Sequence, residues 1–107
     1  MTYIDFCDKH IDDFYRMAFA VFCSSEKAAE AVERTCFIGS KNFFRKNERI
    51  FAVKMFGILY SVCAEMLEDN GKPGNRAAIA LRFASGLRRK EVAKAFGKDV
   101  RDFYKIV

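Results

Sequence analysis

Arg89-Lys90-Glu91-Val92-Ala93-Lys94-Ala95-Phe96-Gly97-Lys98-Asp99-Val100-Arg101-Asp102-Phe103-Tyr104-Lys105-Ile106-Val107 closes the sequence and carries the spacing of a helix-turn-helix. Two helices that cross tightly need a small residue where the second passes over the first, and Ala93 is placed for that. Four residues on, the chain must turn sharply, often through positive φ, and Gly97 offers that freedom. Val92 and Phe96 before the turn, with Phe103 and Ile106 after it, are spaced to close a small core. The Ala-x-x-x-Gly step alone is common, and a helical hairpin with a glycine cap is the plainer reading of the same residues.

The charge around the motif adds weight to it. Residues 71–107 hold 10 Lys/Arg against 3 Asp/Glu, a net of +7, whereas residues 1–70 hold 9 against 11, a net of −2. A basic excess of that size on 37 residues attracts polyanions, because each phosphate contact releases condensed counterions.

Upstream, the periodicity is helical throughout and no strand pattern occurs. Ile11, Phe14, Tyr15, Ala18, Val21 and Phe22 recur at three- and four-residue steps, and Ser24 and Ser25 then offer N-caps for a second helix. That helix carries Ala28, Val32, Cys36, Gly39 and Phe43 on one stripe. A third, from about Glu48, has Ala52, Met55, Phe56, Leu59, Val62, Cys63, Met66 and Leu67 on a wide apolar face flanked by Phe51 and Ile58. Such a helix is expected to be central and buried on more than one side. Asp69-Asn70-Gly71-Lys72-Pro73-Gly74-Asn75 is turn chemistry, with Asn75 a candidate N-cap. Beyond it, Arg76 to Ser85 with Gly86 as a C-cap candidate, Arg88 to Phe96, and Asp99 to the end read as three short helices. The expected fold is all-α, with a three-helix lobe over 1–70 and a helix-turn-helix lobe over 75–107.

The run Asn75 to Ala93 contains Leu81-Arg82-Phe83, then Gly86-Leu87, then Glu91-Val92-Ala93. In that order and spacing it resembles the fourth conserved region of bacterial sigma factors. Tyr15-Arg16-Met17-Ala18, the Ala-rich acidic stretch Glu26 to Thr35, and Phe51 to Leu67 resemble, less sharply, the family's second region. The resemblance points to the short, extracytoplasmic-function class, which has only these two regions. It implies a transcription regulator with DNA and core RNA polymerase as partners, with an anti-sigma-type regulator or a second copy as further ones. Backbone and base contacts would come from Arg88, Arg89, Lys90, Lys94, Lys98, Arg101, Asp102 and Lys105. Polymerase contacts would come from Glu26, Glu30, Glu33 and Arg34.

Three features depart from that family. The two halves are joined by about six residues, a reach of roughly 20 Å, against DNA sites on the order of 34 Å apart. The third helix ends Ser61-Val62-Cys63-Ala64-Glu65-Met66-Leu67-Glu68-Asp69, apolar then acidic, which disfavours single-strand binding. The last helix is short and sets Asp99 and Asp102 among its cations, although an Asp can accept from a cytosine amino group. The alternative is therefore a degenerate sigma-like protein-binding module without promoter recognition.

Cys7, Cys23, Cys36 and Cys63 fall on apolar helical positions, with no CxxC pair and a single histidine, His10. They are expected to be buried, reduced thiols, and no metal or cofactor is expected. With no phosphate-cradling loop and no Ser/His/Asp set, an enzyme is not expected; Asp12-Asp13 and Glu68-Asp69 read as solvated helix-end charges. No apolar run is long enough to span a bilayer, and the first residues lack a signal-peptide pattern, so the expected location is the cytoplasm.

Overall fold

The computed structural model describes residues 2–43, 47–67 and 75–96. Among them the secondary structure is helical, in five elements: α1 (Tyr3–Phe22), α2 (Ser25–Ser40), α3 (Glu48–Met66), α4 (Asn75–Phe83) and α5 (Arg89–Phe96). The turn expected over 69–74 and the helix expected from Asp99 lie outside the described residues.

Each of the three long helices starts on a capping side chain that satisfies an otherwise orphaned backbone N–H. Thr2 caps α1 in a reciprocal arrangement with Asp5, Ser24 accepts from Lys27 N, and Asn47 accepts from Ile50 N at 3.0 Å. α1 ends at Cys23 in the left-handed conformation (φ 50°), and only Ser24 separates it from α2. The two helices therefore fold back antiparallel, so that Tyr3 at the start of α1 meets Phe43 beyond the end of α2. Asn75 is the first residue of α4 rather than its cap. Gly86 does have positive φ (75°), and the Ser85 hydroxyl knits the turn there by donating to Leu81 O and accepting from Leu87 N.

α3 is the centre, as its pattern predicts. Phe51, Ala52, Val53, Met55, Phe56, Leu59, Tyr60, Val62 and Cys63 are all buried over a broad arc rather than a narrow stripe, with Lys54, Ser61 and Glu65 on the exposed strip that remains. α1 and α2 cover one side, while α4 and α5 cover the other, so residues from both halves of the chain join one apolar core. Arg76 fastens α4 to α1 by donating to Val21 O at the carbonyl end of that helix.

The buried face of α1 is rotated from the expected one. Phe6, Phe14, Met17, Ala18 and Val21 are buried, whereas Ile11 and Tyr15 are 42% and 37% exposed. The Phe6–Phe14–Met17 track faces α3, through Phe6 on Phe51 and Phe14 on Phe56 at 4.9 Å between ring centroids, and leaves Ile11 and Tyr15 on the outer flank. A period of 3.6 fits either track when apolar residues sit on both.

The seam between α3 and α5 is tight because Gly57 has no side chain. A Cβ there would stand 2.6 Å from the carbonyl oxygen of Ala95. At Gly39, by contrast, a Cβ would meet the flexible thioether of Met55 and the Tyr3 hydroxyl. Gly57→Ala therefore forces a backbone shift, and should lower unfolding free energy by about 1–3 kcal/mol despite alanine's better helix propensity. Denaturant unfolding of the variant beside the parent measures this.

Candidate nucleic-acid face and acidic groove

α5 begins with a cluster of cations because its inner face needs so little of its sequence. Val92 and Ala95 are buried and Ala93 and Phe96 partly so, which leaves Arg88, Arg89, Lys90 and Lys94 exposed on the outer side. Phe96 packs edge-on against Tyr60 at 5.2 Å between centroids, anchoring the end of α5 to α3. Burial pushes the Tyr60 hydroxyl up to about 12, and it has no hydrogen-bond partner among the described residues.

The start of α5 is held by an ion pair with two good hydrogen bonds. Arg49 of α3 donates from Nε and Nη2 to the Glu91 carboxylate at 2.5 and 2.6 Å, while Arg88 N donates to Glu91 Oε1 at 2.9 Å. The Arg49 guanidinium holds the Glu91 carboxyl at about 2, well below its ordinary value. Glu91 is thus spent on closing the seam with Arg49 and capping α5, and Lys54 of α3 stands exposed beside the α5 cluster. Lys54 and Lys94 line the same open grooves between the two helices, of about 310 and 460 Å³.

Further along the same exposed strip of α3 the charge reverses. Glu30, Glu33 and Arg34 of α2 line a groove of about 550 Å³ with Glu65 of α3, over an apolar floor of Phe37, Ile38 and Val62. Phe37 is 64% exposed, an unusual place for a large aromatic ring. Glu26 is exposed on α2 one turn before Glu30 and outside this groove.

The structure thus brings together Arg88, Arg89, Lys90 and Lys94 on one edge, and Glu30, Glu33 and Arg34 along another. Lys98, Arg101, Asp102 and Lys105, and the motif-core positions Gly97, Phe103 and Ile106, lie outside the described residues. Of the remaining core positions Val92 is fully buried, while Ala93 and Phe96 are partly covered. In the family-like phrase Leu81-Arg82-Phe83, Leu81 is buried but Phe83 is 69% exposed with Arg82 stacked on its ring. Sequence reasoning missed Lys54, Phe37, Ile38 and Glu65. Their only signal was a position off the apolar stripe of their own helix.

The cysteines also depart from expectation. Cys63 is buried, but Cys23 is exposed because it forms the left-handed cap of α1, where its side chain is turned away from the core. Cys7 and Cys36 are half-buried. Among the described residues no three His, Cys, Asp or Glu side chains are grouped to hold a metal ion, and no helix is long and apolar enough to cross a membrane. No family model, curated protein or solved structure matches this chain.

The Arg49–Glu91 contact makes a pH prediction. The folded Glu91 carboxyl titrates lower than the ordinary unfolded one, so the unfolded state binds the proton first as pH falls. The stabilisation is complete above about pH 5 and fades as pH drops toward 2. Solvent exposure of Arg49 keeps its size to about 0.5–1 kcal/mol. Thermal melts between pH 6 and 2.5 should show a smaller acid-induced fall in Tm for Arg49→Met than for the parent.

Proposed function

We propose that this protein is a sigma-like transcription regulator, binding nucleic-acid backbone through the cationic edge of α5 and a polymerase subunit through the groove between α2 and α3. The observation that carries the reading is the exposed set Arg88, Arg89, Lys90 and Lys94, joined from α3 by Lys54. Cations clustered on one edge of a rigid pair of helices can contact successive phosphates with little ordering cost, which is the sequence-independent part of DNA affinity. The likeness of 75–93 to a promoter-reading region supports DNA as the polyanion.

The groove supports the other half. Glu30, Glu33 and Glu65 around Phe37 and Ile38 suit a basic, amphipathic helix of a partner, with apolar anchors in the floor and cations on the acidic rim. Exposed Phe37 also favours the second reading, a sigma-like protein-binding module that does not read a promoter. The close α3–α5 seam favours it too, because a cationic edge anchored beside the groove cannot travel to a distant DNA site.

Anisotropy titrations with a labelled DNA duplex at 50–200 mM salt, run beside pull-downs with core polymerase, separate the two. The first reading predicts binding that weakens steeply with salt. Lys90→Gln/Lys94→Gln should then reduce the slope of log K against log salt by roughly 2 and weaken affinity about 10- to 100-fold. Glu30→Lys/Glu33→Lys should abolish polymerase capture while leaving DNA affinity equal or higher. Polymerase capture with no salt-dependent DNA binding selects the second reading, and absence of both contradicts the proposal.

A further inference from the structure

Three grooves on one face of the molecule run into one another. The first, between α3 and α5, is lined by Arg49, Ile50, Val53, Lys54, Glu91 and Lys94. It shares Lys54 and Lys94 with a second, whose middle is apolar or small at Gly57, Ile58, Val62 and Phe96. That groove in turn shares Ile38, Val62 and Glu65 with the acidic groove against α2. Together they form one trough along the exposed strip of α3 from Ile50 to Glu65, about 22 Å long at 1.5 Å per residue. Its ends carry opposite charge in equal measure. Arg49, Lys54 and Lys94 stand against Glu91 at one end, and Glu30, Glu33 and Glu65 against Arg34 at the other. Each end also exposes apolar surface, Ile50 (57%) among the cations and Phe37 and Ile38 among the acids.

We infer that this trough binds the same trough of a second copy of the chain, about a two-fold axis at its apolar middle. A two-fold axis lying in an interface, midway between two patches, exchanges them. Each copy's cationic end then meets its partner's acidic end, and the contact is made twice. Ile50, standing among cations, enters a groove floored by Phe37, Ile38 and Val62 and rimmed by acids. The charges also set the register, because an arrangement that laid cationic end on cationic end would oppose like charges at both contacts. A face of that length and roughly 20 Å across, two helix widths, is at the small end for a specific interface, which needs about 800 Å² per partner. Pairing is therefore expected to be reversible, with a dissociation constant in the micromolar range.

Such a dimer covers both the cationic edge and the acidic groove, so a polyanion and a protein partner would each compete with the second copy. The pairing stands on the shape and charge of the face and not on the function proposed above. It is read as mass with neither ligand present, so its failure would leave the DNA and polymerase measurements untouched.

Sedimentation velocity of the full chain from about 2 to 200 µM tests this, with a reductant present so that exposed Cys23 cannot link copies. The expected result is a reversible monomer–dimer equilibrium. Glu30→Lys/Glu33→Lys and Lys54→Glu/Lys94→Glu should each weaken it at least about 10-fold. An equimolar mixture of the two variants should form a heterodimer at least as tight as the parent dimer, because both contacts again join opposite charges. The lysine swaps remove two charges each and lower the net charge from +5 to +1, so loss of the dimer there is not overall repulsion. Carbodiimide cross-linking of unlabelled parent mixed with isotope-labelled parent keeps the test valid if a variant folds poorly. The expected links join Lys54 or Lys94 of one copy to Glu30 or Glu33 of the other. A chain that stays monomeric throughout would overturn the inference. So would a dimer indifferent to both swaps, as one through the exposed Ile4, Ile11, Tyr15 and Phe19 of α1 would be. Links to Glu30 and Glu33 only from Lys98 or Lys105 of the same chain would overturn it too, since the chain's own end would then cover the groove.

Discussion

Helix α3 is buried over more than half of its circumference, and the other elements pack so as to cover that arc. A helix of 19 residues with nine fully or nearly fully buried side chains cannot rest on one neighbour. α1 and α2 together shield only part of it. The remainder has to be met by the residues after the turn, so α4 and α5 are drawn onto α3 even though α5 has few apolar residues of its own. Gly57 is the point that lets this happen, because it allows the α5 backbone to lie directly on α3. Leu87, Val92 and Ala95 then need to supply only small side chains to complete the core.

That economy sets the electrostatics. An eight-residue helix that commits Val92 and Ala95 inward and Phe96 to Tyr60 leaves outer positions for charge, which Arg89, Lys90 and Lys94 occupy, with Arg88 just ahead of the helix. Its lone acid, Glu91, is taken up by Arg49, so the edge is more cationic than its composition suggests. α2 is also one-sided, but it presents Glu26, Glu30 and Glu33 outward. Two surfaces of opposite charge therefore lie side by side along the exposed strip of one central helix, at a separation set by packing rather than by a linker. A protein that joins a polyanion to another protein through fixed surfaces gains that arrangement without any ordering of a connector.

Much of the fold was legible because the long helices announce themselves twice, by period and by caps. Ser24 ahead of α2, the start of α3 at Glu48 and the positive φ at Gly86 are all local chemistry. The breadth of the buried face of α3 could be read because Phe51 and Ile58 flank its main stripe. The face of α1 could not be fixed by period, since Ile11 and Tyr15 compete with Phe6 and Met17 and only the facing rings of Phe51 and Phe56 decide between them. The cationic edge of α5 was readable as charge, whereas Lys54 became part of it only through the α3–α5 seam. The Phe37–Ile38 floor was not readable at all, because it depends on the register between two helices. Cys23 looked like one more apolar position until its role as a left-handed cap was visible.

The central claim is that α4 and α5 belong to the same cooperative core as α3, which fixes the cationic edge beside the acidic groove. Native-state amide hydrogen exchange, resolved by residue, tests this most directly. The account predicts that the inward amides of α4 and α5 near Leu81 and Ala95 open only with those of α3 near Leu59, at one common free energy that shifts together with denaturant. If the amides of α4 and α5 instead exchange with a much lower free energy while α1, α2 and α3 stay protected, the two halves are separable and the claim is wrong.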